Sequence, residues 1–169
     1  AASHPDQISL FAGSGHLFRE ESIMSGVVPL VSAMVGPGAA GTAYIPGLAD
    51  FVPMVKGTSS IAIGGPYLVE STVGEVVSEE DLGGSKIHNE LSGVADAEYP
   101  DDKSCLAAIR AYLGYFPSSS EEKPPHRPFA DPIDYRREEL LDVVPDNPRR
   151  AYDMHKVLAL VADQGDLFE

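Results

Sequence analysis

VVPLVSAMVGPGAAGTAYIPGLADFVPMVK, residues 27–56, passes from an apolar run through six small residues to a short helical pattern and a second apolar run. Val27 to Val35 is almost unbroken Val, Leu, Ala and Met, which predicts a strand covered on both faces. It stops at Gly36-Pro37-Gly38-Ala39-Ala40-Gly41, where nothing is larger than a proline ring. A turn of that composition lets another molecule approach the backbone. The helix after it presents unpaired N–H groups in its first turn, a place to hold an oxygen bearing developing negative charge. Small residues at this point also serve plain helix–sheet packing, and the stretch alone does not choose between the two.

The chain of 169 residues has the length of one ordinary domain, and 43% hydrophobic against 22% charged residues predicts a globular one. Its 26 acids outnumber 12 bases, for a formal net charge of −14. With no basic patch or basic helix, that argues against a nucleic-acid partner and against an anionic membrane. The acids at 79–81, 98–102, 121–122 and 138–142 read as solvated surface. The single cysteine, Cys105, has no partner for an internal disulfide. With no signal peptide and no apolar run near about 18 residues, the cytosol is the default compartment.

Outward from the central stretch, residues 1–8 read as loop, and Leu10-Phe11 with Gly13-Ser14-Gly15 precede a helix starting near His16. Leu17, Phe18, Ile23 and Met24 would give it a buried side, with Arg19, Glu20 and Glu21 in water. His16 and Arg19 read as surface or cap residues within reach of an anionic ligand. Downstream, Ser59–Ile63 predicts a short strand ending in Gly64-Gly65-Pro66. Proline at the first helical position and Gly74 as the stop bracket a helix over Pro66–Val73. Two strand–small turn–helix units side by side would line one crevice, where open α/β sheets bind ligands. Ser78 begins a capping box, closed by Gly83-Gly84. Asp101 or Asp102 caps an amphipathic helix with Cys105, Leu106, Ile109, Tyr112, Leu113 and Phe116 on one stripe, so Cys105 reads as core.

From Pro117 the composition turns proline-rich and polar, a linker crossing the surface. Beyond it come a short helix near Arg136–Val143, a break at Pro145–Pro148 and a last helix from Asp153, striped by Met154, Val157, Leu158 and Val161 and stopped at Gly165. This tail is too poor in apolar residues to stand alone.

Side chains offer little chemistry. The histidines at 4, 16, 88, 126 and 155 are scattered, without HExxH or paired Cys/His spacing, so no metal site is expected. His88, in GGSKIHNELSG, reads as structural or exposed more readily than as a ligand. Neither a GxSxG elbow nor a GxxxxGK[ST] loop occurs. No acid stands alone in an apolar setting, so general acid–base work by Asp or Glu is not indicated. Any catalysis would fall to the backbone near Ala40 and Gly41.

Several motifs in order, GHLFREESIMSGVVPLVSAMVGPGAAGTAYIPGLADFVPMVKGTSSIAIGGP, VGEVVSEEDLGGSKIHNELSGVAD, DPIDYRREELLDVVP and AYDMHKVLALVADQGDLFE, resemble the carboxyltransferase (β) subunits of biotin-dependent acyl-CoA carboxylases. The resemblance runs from about Leu10 to Glu169. More distantly, GPGAAGTAYIPGLAD is similar to the enoyl-CoA hydratase segment that supplies an oxyanion-hole N–H. The donor falls on Gly41, and the two hydratase glutamates fall on Tyr44 and near Tyr67, so hydratase chemistry is not implied.

The resemblance implies an α/β fold, a partial crotonase-like spiral over residues 1–116. A linker at 117–132 and a helical segment at 133–169, leading toward a second carboxyltransferase half, would follow. It implies transfer of carboxylate from carboxybiotin to the α-carbon of an acyl-CoA, with the biotin ureido group taking the α-proton. Ala40 and Gly41 would be the catalytic N–H donors, each worth on the order of 3 kcal/mol. Gly36, Pro37, Gly38, Ala39, Gly64, Gly65 and Pro66 would line the acyl-CoA and biotin cleft.

Biotin would ride on a separate carrier, and the partners would be a biotin carboxylase or carboxyl carrier subunit and further copies of the same subunit. Propionyl-type relatives tend to carry Gly-Gly where Ala40-Gly41 stands, which leaves the acyl chain open. The family's chains are much longer, so this chain corresponds to a middle portion of one. Two other readings share these residues: a biotin-dependent decarboxylase or transcarboxylase, and a non-catalytic module that binds acyl-CoA or assembles with carboxylase subunits.

Overall fold

The computed structural model describes residues 13, 15–126, 128, 136–163 and 167–168. The expected loop at 1–8, Leu10-Phe11, Ser14, most of 127–135 and the Gly165 stop lie outside them. The chain divides into two compact units, Ala1–Pro124 and Pro125–Glu169. The division falls within the proline-rich stretch.

In the first unit the elements run α1 (Gly15–Met24), β1 (Pro37–Ala39), α2 (Gly41–Gly47), β2 (Pro53–Val55), β3 (Ser60–Ala62), α3 (Pro66–Val73), α4 (Glu79–Gly83), a π-helix (Ile87–Ser92), β4 (Ala97–Tyr99) and α5 (Asp102–Leu113). The strands pair in parallel, β1 with β3 and β2 with β4. Parallel strands joined by helices are what a small α/β layer requires.

The apolar run 27–35 departs from the expected continuous strand. Val27 and Val28 are exposed in a turn after α1. Only Val31 and Met34 bridge to Phe51 and Met54, in parallel. The reason is Pro53. The ladder proceeds from Phe51 N–H to Leu30 O (3.2 Å) and Ser32 N–H to Phe51 O (3.0 Å), then from Met34 N–H to Pro53 O (2.9 Å) and Val55 N–H to Met34 O (2.9 Å). The rung between falls to a residue with no N–H, so one strand becomes two bridges. A second departure follows directly: Pro37–Ala39, expected in the turn, continues the extended backbone as β1.

Two aspartates start these strands by the same device. Leu30 N–H donates to the Asp50 carboxylate at 2.8 Å while Asp50 N–H donates to Leu30 O at 2.8 Å. Val52 N–H donates to the Asp96 carboxylate at 2.7 Å while Asp96 N–H donates to Val52 O at 3.1 Å. Each pair seals a strand entrance whose backbone groups lack a further ladder partner.

The core gathers Met34, Ala43, Val52, Met54, Ile61 and Ala95. All of β2 is buried, and Met54 completely so, contributing about 2 kcal/mol. Cys105 on α5 is fully buried, its thiol donating weakly to the Pro53 carbonyl at 3.9 Å. Burial first, then the charge of Asp102, pushes that thiol's pKa up, as suits a packing residue. The rest of the predicted α5 stripe is shallower. Tyr112 stacks on Phe51 at 4.6 Å, but Leu106, Leu113 and Phe116 stay exposed. No residue of α1 is buried: Phe18 and Met24 are half-buried, Leu17 and Ile23 exposed, and Glu21 is half-buried rather than in water.

Helix ends follow the sequence signals. Gly74 takes φ 75° and donates to Glu70 O. The Ser78 hydroxyl accepts Asp81 N–H at 3.0 Å, and the Asp101 carboxylate accepts Ser104 N–H at 2.8 Å.

Acids 98–102 are not uniformly solvated. The Glu98 carboxylate accepts from the buried Ser85 hydroxyl at 2.6 Å and pairs with Lys56 at 3.2 Å. In the second unit α6 (Glu139–Val143) packs on α7 (Met154–Val161), which Asp153 caps through His155 N–H. Val157 is half-buried, and Met154, Leu158 and Val161 remain exposed.

Candidate oxyanion turn and cleft

Strand β1 becomes helix α2 in a single residue. Ala40 takes φ 53° and ψ −121°, the only positive φ outside glycine among the described residues. Such a conformation costs on the order of 1–3 kcal/mol and persists only where the surroundings enforce it.

Three contacts do so. Ala40 N–H donates to Ala62 O at 3.1 Å, and Ala40 O accepts Ala43 N–H at 3.0 Å. The Thr42 hydroxyl then clasps the previous residue from both sides, accepting Ala39 N–H at 2.9 Å and donating to Ala39 O at 2.8 Å. A Cβ on Gly38 would stand 2.6 Å from Met34 Cε, the movable end of that side chain.

The expected donor pair is therefore split. The Ala40 N–H donates to Ala62 O beside the β1–β3 ladder. Gly41 N–H, at the first position of α2, has no acceptor among the described residues, and neither has Thr42 N–H. A Cβ on Gly41 would meet only Phe18 Cζ, at 3.9 Å, an ordinary contact. Gly41 thus lies beside a ring that lines the adjoining cleft.

That cleft, ≈ 840 Å³, is walled by Phe18, Tyr44, Leu48, Ile63, Val69, Leu82 and Val94. Its size and apolar lining are those of a small-molecule site. Phe18 and Tyr44 meet edge to face there, centroids 5.7 Å apart. Of the residues expected to line it, Gly64 does. Gly65 and Pro66 instead form the N-cap and first residue of α3, Pro37–Ala39 form β1, and Gly36 precedes it. Tyr67 is exposed outside the wall.

No carboxylate reaches the wall. Its one imidazole is His88, and both ring nitrogens are engaged, Nε2 at 2.7 Å from Ile61 O and Nδ1 at 2.8 Å from Ser92 Oγ. The sequence reading left His88 isolated; the signal was the spacing His88–Ser92, one turn apart. Thr42 was missed as well, for its role is to hold backbone. His16 is exposed, and Arg19 pairs with its neighbour Glu20.

A parallel α/β layer, a strained turn and an adjoining apolar cleft thus meet in the first unit. The chain belongs to the carboxyl transferase domain family, whose model matches residues 6–169.

Among its relatives, the propionyl-CoA carboxylase beta chain of Roseobacter denitrificans is 41% identical over 162 residues, covering 96% of this chain and 32% of that one. The methylmalonyl-CoA decarboxylase subunit alpha of Propionigenium modestum is 40% identical over 164 residues, covering 97% and 32%. Among solved structures, transcarboxylase 12S, a hexamer crystallised with methylmalonyl-coenzyme A and methylmalonic acid, superposes with TM-score 0.81 at 32% identity, over 94% of this chain and 31% of that one. The chain thus spans about a third of the length of these relatives, and its fold is the carboxyltransferase, crotonase-like fold. No described helix is long and apolar enough to cross a membrane.

Proposed function

We propose that the chain supplies the acyl-CoA half-site of a biotin-dependent carboxyltransferase, with the Gly41 N–H as an oxyanion donor to the thioester. The observation that carries this is the free Gly41 N–H beside an apolar cleft with no carboxylate in its wall. Removing the α-proton of a thioester moves charge onto its oxygen. A fixed N–H beside a low-dielectric cleft would stabilise that charge by about 3 kcal/mol. Thr42 N–H, one residue on, stands ready to share it.

The residues fit a reaction in which the proton acceptor comes from outside the chain, since no carboxylate lines the wall and its one imidazole, His88, already has a partner on each nitrogen. Carboxybiotin on a separate carrier would bring both the carboxyl group and a base. The protein's own part is to hold the thioester, keep the α-carbon in apolar surroundings and present the donor. A carboxyl carrier partner and assembly of several copies belong to the same reading, supported by the hexamer of transcarboxylase 12S.

The test uses the whole protein with its carrier. Gly41→Ala has room and should keep carboxyl transfer within about tenfold. Gly41→Pro removes the donor at a helix position that tolerates proline, and should lose roughly 100-fold or more in kcat. A folded, assembled proline variant turning over normally refutes the role.

The near-equal identity to a decarboxylase subunit favours a second reading, the same site run toward carboxyl removal. Carboxyl transfer measured in both directions, onto an acyl-CoA and from its carboxylated product to biotin, separates the two.

A further inference from the structure

Resting on the reading above, we infer that His88 is a positioning residue, holding the strand that fixes the oxyanion turn. In a parallel ladder, successive carbonyls of a strand point to opposite edges. Ala62 O faces β1 and takes the Ala40 N–H, so Ile61 O, one residue earlier, faces the other edge of β3. There it meets His88 Nε2 at 2.7 Å.

A carbonyl only accepts, so Nε2 carries the proton and donates. Nδ1, 2.8 Å from Ser92 Oγ, is then the acceptor of the Ser92 hydroxyl in the neutral ring. The ring is held on both sides, and it sits on a π-helix, a local widening that often marks functional positions.

The approach to that carbonyl is exclusive. A Cβ on Gly83 would fall 2.1 Å from Ile61 O and 3.2 Å from His88 Nε2, so bare backbone is needed beside the ring. A continuous set of contacts results: Ser92 to His88, His88 to Ile61, then Ala62 to Ala40, and Gly41 next in the chain. Strand β3 is clamped between an imidazole on one edge and the strained turn on the other. Slackening the outer contact lets β3 move away from Ala40, and the Gly41 N–H loses its aim.

His88→Asn and His88→Gln in the whole, assembled enzyme test this. An Asn amide occupies the place of Nδ1 and cannot reach Ile61 O, whereas a Gln amide reaches the place of Nε2. His88→Asn should lower kcat about tenfold or more with KM for acyl-CoA within about threefold. It should also speed amide exchange at Ala40. His88→Gln should return both to near the wild-type values. An Asn variant with wild-type kcat, a Gln variant no better than Asn, or lost turnover with unchanged exchange at Ala40 each overturns the proposal.

Should the Asn variant fail to assemble, Ser92→Ala, which frees the ring and leaves β3 intact, decides by the same exchange measurement. Faster exchange at Ala40 upholds the clamp, and unchanged exchange overturns it. Exchange reads the clamp whatever the substrate. Failure of the acyl-CoA reading shows separately, as full turnover in Gly41→Pro.

Discussion

The N–H of Ala40 ends on the carbonyl of Ala62, 3.1 Å away, whereas the next N–H, that of Gly41, ends on no described atom. One residue thus separates a bonded N–H from an unbonded one. Ala40 carries the strain, at φ 53°, and Gly41 carries the donor.

Relief of that strain is measurable. Ala40→Gly in the whole protein should raise stability by about 1 kcal/mol, since glycine reaches this region freely. Ala40→Val should lower it by roughly 2 kcal/mol or more, a branched side chain being least tolerant of positive φ. Chemical denaturation checks both, and a destabilised glycine variant contradicts the strain.

The Thr42 clasp predicts a sharp contrast between near-isosteres. Thr42→Val loses both bonds to Ala39 and should reduce stability by about 1 kcal/mol, with faster exchange at Ala39. Thr42→Ser keeps the hydroxyl and should match the wild type. Equal behaviour of the two variants would mean that the clasp holds nothing.

Removing the carboxylate at a strand entrance should be expensive. Asp96→Ala leaves the Val52 N–H without its charged acceptor and should cost about 1.5–3 kcal/mol. Asp50→Ala, in a more exposed copy of the motif, should cost less. The sites share no partner, so the double variant should be close to additive. Urea titration of the three variants provides the measurement.

Glu98 sets a pH dependence. The Ser85 hydroxyl first, and the Lys56 ammonium after it, hold this carboxyl below its ordinary 4.5 against the opposing effect of burial. A group whose folded pKa is depressed contributes stability above its ordinary value and loses it as pH falls through the folded one. Wild type should therefore exceed Glu98→Gln at neutral pH, with the gap closing below pH 4.5. A gap independent of pH would contradict the assignment.

Helix ends were the most legible part of the sequence, because a cap is local. Gly65, Pro66 and Gly74 around α3, Ser78 before α4 and Asp101 before α5 each act within one turn of themselves. The extended segments were less legible. Apolar content at 27–35 looks alike whether or not the neighbouring strand can donate, and only the pairing with Pro53 interrupts the ladder. Strand β4 went unread for the same reason: AEY carries no apolar run and owes its place to β2. At the candidate site, Gly41 was proposed because glycine after small residues is a visible pattern. The commitment of the Ala40 N–H depends on β3, more than twenty residues on, and no local signal announces it. His88 and Thr42 act on carbonyls and N–H groups, which sequence letters do not display.

The seal between Val52 and Asp96 also orders events in time. The two residues lie 44 positions apart. At a synthesis rate of roughly 5–20 residues per second, Val52 leaves the ribosome about 2–9 s before its acceptor does. For that interval the bridged segment 30–34 can meet β2, through Leu30 and Asp50, yet β2 has an open edge with an unclaimed donor at its start. A nascent chain halted before Asp96 should then be the form most prone to capture by chaperones or by other unfinished chains, and a few further residues should end that exposure.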